Sequence, residues 1–433
     1  INSNDRLFWK GKSMEIEVPY GREKQSCNVP ESVQCMYGKL RQVVPELDPS
    51  SQIRLAIENL IGDINQDKLL KAHKIAIAVS DLTRPVPSRL ILEELFAWLN
   101  QLGITEDRII ILVGGGLHRP ATPEDLKYIL GEELLGRIKN IVAHDADNEE
   151  MLTFLGTSAQ GTPVHVNKYF NQADYRIVTG MIDAHQFMGF TAGVKGAVIG
   201  LGGRPTITGN HARLFSPGAE LGRLEDNPAR LDLEDIGTIV GVDMVVNVIL
   251  NDKKQVVNAV AGHPVEAHRQ GAEYAKGIFG VPMNPADVVI ASPGGFPKDL
   301  NLYQAQKALT PASQIVKEGG TIILVAQCIE GSGEESFEQE MALHKTPREV
   351  VESISSKEFV IGPHKAYLWA RTLVKARTII VSDQISPTLA KTLMVEVASS
   401  LQEALDMALP NYTSPEVAVL PYASSMIPII NNI

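Results

Sequence analysis

A chain of 433 residues exceeds one ordinary domain, so two or three domains are expected. An apolar content of 44% with 21% charged residues supports a real core, while no apolar run reaches membrane-spanning length. The formal net charge of −11 speaks against nucleic-acid binding, which needs a basic surface. The opening INSNDRLFWKGK lacks a signal-peptide apolar core. Cys27, Cys35 and Cys328 have no CxxC spacing, so they read as reduced thiols of a cytoplasmic protein, without a disulfide framework or zinc site.

Met14 to Tyr20 alternates and predicts an early strand, and a helix follows around Ser51 to Leu60. Lys74 to Ser80 reads as a buried strand ending in Asp81-Leu82-Thr83-Arg84-Pro85, where the proline stops it. A helix runs through Leu90 to Leu99. Arg108 to Val113 is the next strand, ending in Gly114-Gly115-Gly116-Leu117-His118-Arg119-Pro120. Thr122, Pro123, Glu124 and Asp125 open another helix as N-cap, N1 and acidic first turn. Further strands are predicted at Asn140 to Ala143, Tyr175 to Thr179 and Asp243 to Leu250. The alternation defines an α/β chain with a largely parallel sheet.

The pattern breaks at Gly277 to Pro285, a candidate hinge. Beyond it a second α/β unit is predicted, with strands at Asp287 to Ala291, Thr321 to Ala326, Arg377 to Ser382 and Val417 to Leu420. The acidic run Glu330 to Glu340 reads as a mobile loop. The expected domains are residues 1–278, a Rossmann-like unit over 286–412, and a segment 413–433 packing back on the first domain.

Ligands in open α/β sheets bind beyond the carboxyl ends of the strands. Asp81 to Arg84, His118, Asp183 to His185 and the loop Ser292 to Gly295 all lie at such ends. Between Asp183 and His211 the glycines are dense, and they mark tight turns or close approach to a ligand. His185 and Lys195 are ten residues apart, Lys195 and His211 sixteen. Small residues on both sides of Lys195 leave room for something bulky. On spacing alone, an ordinary solvated lysine in a surface loop stays open. Two histidines at equivalent strand ends, beside a lysine and a third histidine, point to proton transfer or metal binding. The remaining histidines read as structural. Tyr303, Gln304 and Lys307 share a helix face, although alone they also fit a core tyrosine and a solvated lysine. No P-loop, HExxH, GxSxG or strand-linked GxGxxG is present.

Taken in order, these landmarks resemble the nickel-pincer lactate racemases and their 2-hydroxyacid racemase and epimerase relatives, over nearly the whole chain. They are Asp81 to Pro85, Gly114 to Arg119, the His185–Lys195–His211 spacing, and Tyr303-Gln304-Ala305-Gln306-Lys307. The resemblance implies two α/β domains with mainly parallel sheets and an active-site cleft between them. It implies a nickel-pincer nucleotide, a nicotinic-acid-derived mononucleotide with two thio-carbonyl groups. This would be bound covalently to Lys195, with His211 as nickel ligand. His118 and His185 would be the acid/base pair. Arg84, Gln304 and Lys307 would hold the substrate carboxylate and cofactor polar groups. Asp81 and Thr83 would lie near the cofactor phosphate, Tyr303 would contact the cofactor, and Trp369 would pack against the site. The cofactor would come from separate maturation proteins, and the substrate would be a small 2-hydroxy acid, with no nucleic acid and no membrane involved. One departure concerns Leu82, where lactate racemases often carry histidine; it leaves the substrate side chain open. A nicotinamide-dependent oxidoreductase of 2-hydroxy acids, against which the missing GxGxxG counts, and a catalytically silent binding homologue are the competing readings. The oligomeric state is not legible.

Overall fold

The computed structural model describes residues 14–357, 359–360 and 362–430. The chain forms two units, one over Gln42–Ile278 and one joining the residues up to Arg41 with those from Phe279 onward.

In the first unit a six-stranded sheet runs in the order Val256–Gly262, Met244–Leu250, Tyr175–Met181, Ile75–Ser80, Ile109–Gly114, Asn140–Ala143. All neighbours are parallel except the Val256–Gly262 edge strand. IAIAV and IIILV are buried along their length, as expected of strands covered on both faces. Ile91, Leu92, Leu95 and Phe96 of the helix Ser88–Gln101 pack on one face with Ile75, Ile77 and Ile111. The helix Pro123–Arg137 starts where expected, with a complete Thr122/Asp125 capping box. From Ile75–Ser80 the chain proceeds to strands on one side; Tyr175–Met181 then lies on the other. The order therefore reverses between these two strands, and Asp81 and Asp183 follow their carboxyl ends.

The second unit contains a six-stranded, all-parallel sheet, in the order Glu396–Ala398, Arg377–Val381, Val316–Val325, Ala286–Ala291, Glu416–Leu420, Gln34–Tyr37. The hairpin Met14–Tyr20 with Glu23–Val29 shares a core with Val288, Ile290 and Ile323.

Three expectations are corrected. The first domain does not begin at the amino terminus, because Gln34–Tyr37 pairs with Glu416–Leu420 in the second sheet. The segment after residue 412 is part of the second unit's own sheets: Glu416–Leu420 pairs with Ala286–Ala291, and Ile427–Ile430 with Gly280–Met283. Both reflect long-range strand pairing, which no local pattern encodes. The acidic run is also not a plain loop, since Glu335–Ala342 is a helix with Phe337 and Met341 buried. The Gly277 to Pro285 stretch itself is regular, being the end of the helix Glu266–Phe279 followed by the strand Gly280–Met283. No helix among the described residues is long and apolar enough to cross a membrane.

Candidate functional site

The two glycine-rich runs of the first unit meet backbone to backbone. A Cβ on Gly114 would lie 2.5 Å from the Gly200 carbonyl oxygen, and the Gly116 N–H donates to that oxygen at 3.1 Å. Gly116 has φ +62° and Gly193 φ +61°, conformations that favour glycine. A Cβ on Gly196 would come within 2.5 Å of Val178 Cγ1. The glycines therefore bring the Lys195 turn onto the strand ends.

Lys195 opens the short helix Lys195–Val198. The segment before it is held from three sides. Arg230, 1% exposed, donates to the Phe190 carbonyl; His268 donates through Nε2 to the Thr191 carbonyl at 2.7 Å; and the Gly193 N–H donates to Asn247 Oδ1 at 3.1 Å. Ala192 takes φ +64° within this grip. Burial first, then the charges of Arg84 and Arg230, hold the Lys195 ammonium well below the usual lysine value. Arg230 itself is pulled down by burial, to about 10.

His185 lies in a two-residue strand, opposite Gly189 across a tight antiparallel pair. Phe187 stands between His185 and His211, edge-on to both, at centroid distances of 4.7 and 5.4 Å. His211 ends the helix Arg204–His211, and the neighbouring Asn210 is anchored to Asp232 Oδ2 at 2.9 Å and to the Ala229 carbonyl at 3.0 Å. Burial first, then the charges of Lys195, His211, Arg84 and Arg230, push the His185 pKa well down, so its ring is neutral. The Met188 N–H donates to His185 Nδ1 at 3.2 Å, which puts the proton of that neutral ring on Nε2.

His118 is built differently. Its Nδ1 lies 2.8 Å from Asp81 Oδ2, and Thr83 Oγ1 donates to Asp81 Oδ1 at 2.8 Å. Burial works to raise the Asp81 pKa, but these two bonds outweigh it and leave the carboxyl below its ordinary range. The carboxylate accepts from Nδ1–H, so in the neutral form of His118 the lone pair lies on Nε2. Gly115 permits this approach, because a Cβ there would sit 2.9 Å from Asp81 Oδ2. Beside the same loop a cavity of about 420 Å³ is lined by Asp81, Arg84, Arg89, Glu93 and Tyr128 among others. His185, Lys195 and His211 are not among its walls.

In the second unit, Tyr303 and Gln304 belong to Leu302–Ala305, capped by Asn301, and Lys307 lies in the tighter turn that follows. Lys307 Nζ donates to Gln304 Oε1 at 2.7 Å, so the two share a face as expected. Trp369 lies on the helix His364–Lys375 of the second unit. It is fully buried, its indole N–H donates to the Leu393 carbonyl at 2.9 Å, and its ring meets Phe337 edge-on. It is a core residue of the unit, with its polar atom already used. Sequence reasoning missed Arg230 and Asn247. Their signal is burial of a polar side chain, which appears only once the fold is known. It also placed Asp81 by phosphate alone, without its bond to His118.

Two doubly wound α/β units, with histidines and a buried amine at a strand-order reversal, define the class as an α/β enzyme. The lactate racemase N-terminal domain matches over residues 20–222 and the lactate racemase C-terminal domain over 281–427. A lactate racemase of Thermoanaerobacterium thermosaccharolyticum is 33% identical over 401 residues, covering 91% of this chain and 94% of that one. A lactate racemase of Lactiplantibacillus plantarum is 34% identical over 369 residues, covering 84% and 87%. The solved structure of the T. thermosaccharolyticum apoprotein aligns with a TM-score of 0.85 at 32% identity, over 97% of this chain and 100% of that one. A Thermotoga maritima protein at 15% identity and TM-score 0.61 shares the fold. The chain belongs to the lactate racemase family.

Proposed function

We propose that the protein interconverts the enantiomers of lactate or a closely related 2-hydroxy carboxylate, using a nickel-pincer nucleotide attached to Lys195. The observation that carries this reading is Lys195 itself, a buried amine beside His185 whose charged form is disfavoured by burial and by the Arg84 and Arg230 charges. An uncharged amine is the form that can bond to an acyl or thioacyl carbon. Among the described residues no three of His, Cys, Asp and Glu gather as a metal site. A nickel ion would thus need ligands from the cofactor, with His211 supplying one imidazole, and this donor set fits the group. Asp81, Thr83, Arg84 and Tyr303 would contact its polar parts.

When bound, the group supplies a hydride acceptor and donor for substrate C2. The chain's own residues move a proton and hold a carboxylate. His118 or His185 takes the hydroxyl proton as hydride leaves C2, giving a planar 2-oxo acid. After that acid turns, hydride returns to its other face and the histidine that holds the proton gives it back to oxygen. Arg84, Gln304 and Lys307 hold the carboxylate meanwhile. The test is to express the chain with cofactor-maturation proteins, then measure intact mass and follow chiral conversion of each lactate enantiomer. An adduct on the wild type, absent from Lys195→Ala together with racemisation, is expected. Wild-type rates from an unmodified Lys195→Ala protein would overturn the reading.

A further inference from the structure

The reaction as described uses Lys195 and leaves out the side chains that hold the backbone in front of it. Ala192 and Gly193 take φ +64° and +61° in succession. Left-handed backbone is ordinary for glycine and unfavourable for alanine, so such a turn persists only where its surroundings fix it. Three buried side chains do so, each from a different element. Arg230, on the helix Pro228–Val240, donates to the Phe190 carbonyl. His268, on the helix Glu266–Phe279, donates to the Thr191 carbonyl at 2.7 Å. Asn247, on the strand Met244–Leu250, accepts from the Gly193 N–H at 3.1 Å.

The packing around the turn is as close as its hydrogen bonds. A Cβ on Gly193 would lie 2.9 Å from the His268 ring, and one on Gly237 would lie 2.7 Å from Val194. An ion pair between Glu234 and Arg269 at 3.1 Å ties together the two helices that carry Arg230 and His268. Burying a guanidinium to hold one loop carbonyl is costly. A glycine at position 192 would take the same backbone without that hold. The Lys195 N–H donates to the Ala192 carbonyl at 3.3 Å, so the direction of the Ala192 peptide sets where the lysine side chain begins.

We propose that Arg230 and His268 are positioning residues: they hold the left-handed Ala192–Gly193 turn and, through it, place the Lys195 amine for attachment of the cofactor. This rests on the tether reading above.

The variants are expressed with the cofactor-maturation proteins, and the Lys195 adduct is followed by intact mass over time, with urea denaturation as the check of folding. Arg230→Met removes the hydrogen bond to Phe190 and keeps an apolar stem. Its adduct should form about tenfold to a hundredfold more slowly, the scale of a misplaced reacting group. His268→Leu should slow loading in the same way. His268→Gln keeps a donor for the Thr191 carbonyl and should restore most of the rate. Arg230 also acts on Lys195 through its charge, so the deciding variant combines Arg230→Met with Ala192→Gly. Glycine adopts the turn unaided but returns no charge, and loading should recover severalfold. If Arg230→Met does not fold, His268→Leu with Ala192→Gly takes its place. Loading that stays slow in the double variant overturns the proposal. Wild-type loading in Arg230→Met or in His268→Leu overturns it while leaving the tether reading intact. Wild-type protein that gains no adduct overturns both together.

Discussion

Two imidazoles in one unit carry opposite hydrogen-bond instructions. His118 donates through Nδ1 to Asp81, which in the neutral ring places the lone pair on Nε2. His185 accepts at Nδ1 from Met188, so its neutral ring presents Nε2–H. In the proposed reaction His118 is prepared as a base, whereas His185 must first exchange tautomers to act as one. Pre-steady-state mixing of cofactor-loaded protein with each pure enantiomer should therefore show one fast and one slow oxidation. Equal rates would show that the Met188 contact has no bearing on proton transfer. Asp81→Asn should remove the carboxylate that sets the His118 tautomer and slow the fast enantiomer by about 10²–10⁴-fold, the usual worth of a positioned base. Both histidines were legible at this scale because each follows a buried strand. Their tautomers were not, since these depend on Asp81, thirty-seven positions away, and on the backbone N–H of Met188 in the turn that joins a two-residue strand pair.

The elements that carry these residues are fitted by absence of side chains. Gly114 at the end of one strand lies against Gly200, and Gly196 against Val178. Gly114→Ala would push a methyl to 2.5 Å from a backbone oxygen that cannot rotate away. A loss of about 1–3 kcal/mol is expected, the range for overpacking, read as a lower denaturant midpoint at unchanged slope. Gly277→Ala is the control: a Cβ there meets nothing within 4 Å, and the residue is helical, so stability should hold or rise. Glycine density was readable in the sequence, but its cause was not. A run that keeps backbones together and a run that admits a ligand have the same composition. The strands and most helices were legible for a better reason. Buried parallel strands need continuous β-branched runs, and Thr122 and Asp125 make a cap within four residues. The pairing of Gln34–Tyr37 with Glu416–Leu420 joins segments hundreds of residues apart, and nothing local announces it.

Across the molecule, several histidines are built as neutral hydrogen-bonding groups. In the first unit His144 accepts at Nδ1 from Asn167 Nδ2 at 3.1 Å and donates through Nε2 to the Gly202 carbonyl at 3.0 Å. In the same unit His268 holds the Thr191 carbonyl. In the second unit His364 accepts from the Gly362 N–H at 3.1 Å. Burial is the first cause of a lowered pKa in all three, and it brings His364 to about 3. A histidine near 6.5 in the unfolded chain then binds its proton there before it does so in the folded one. The stabilisation is complete above about pH 6.5 and is lost as pH falls toward the folded values. His364, with its folded value near 3, contributes a slope approaching about 1.4 kcal/mol per pH unit within that window. Between pH 7 and pH 5 most carboxylates remain ionised in both states, so the histidines dominate the change. Urea denaturation at half-unit steps should show stability falling steadily over this range. His364→Gln keeps an acceptor for the Gly362 N–H but cannot titrate, and it should flatten the slope by the share of one histidine. A stability that is level from pH 7 to 5, or a slope unchanged in His364→Gln, would mean that these rings take up protons in the folded state, with their hydrogen bonds rearranged.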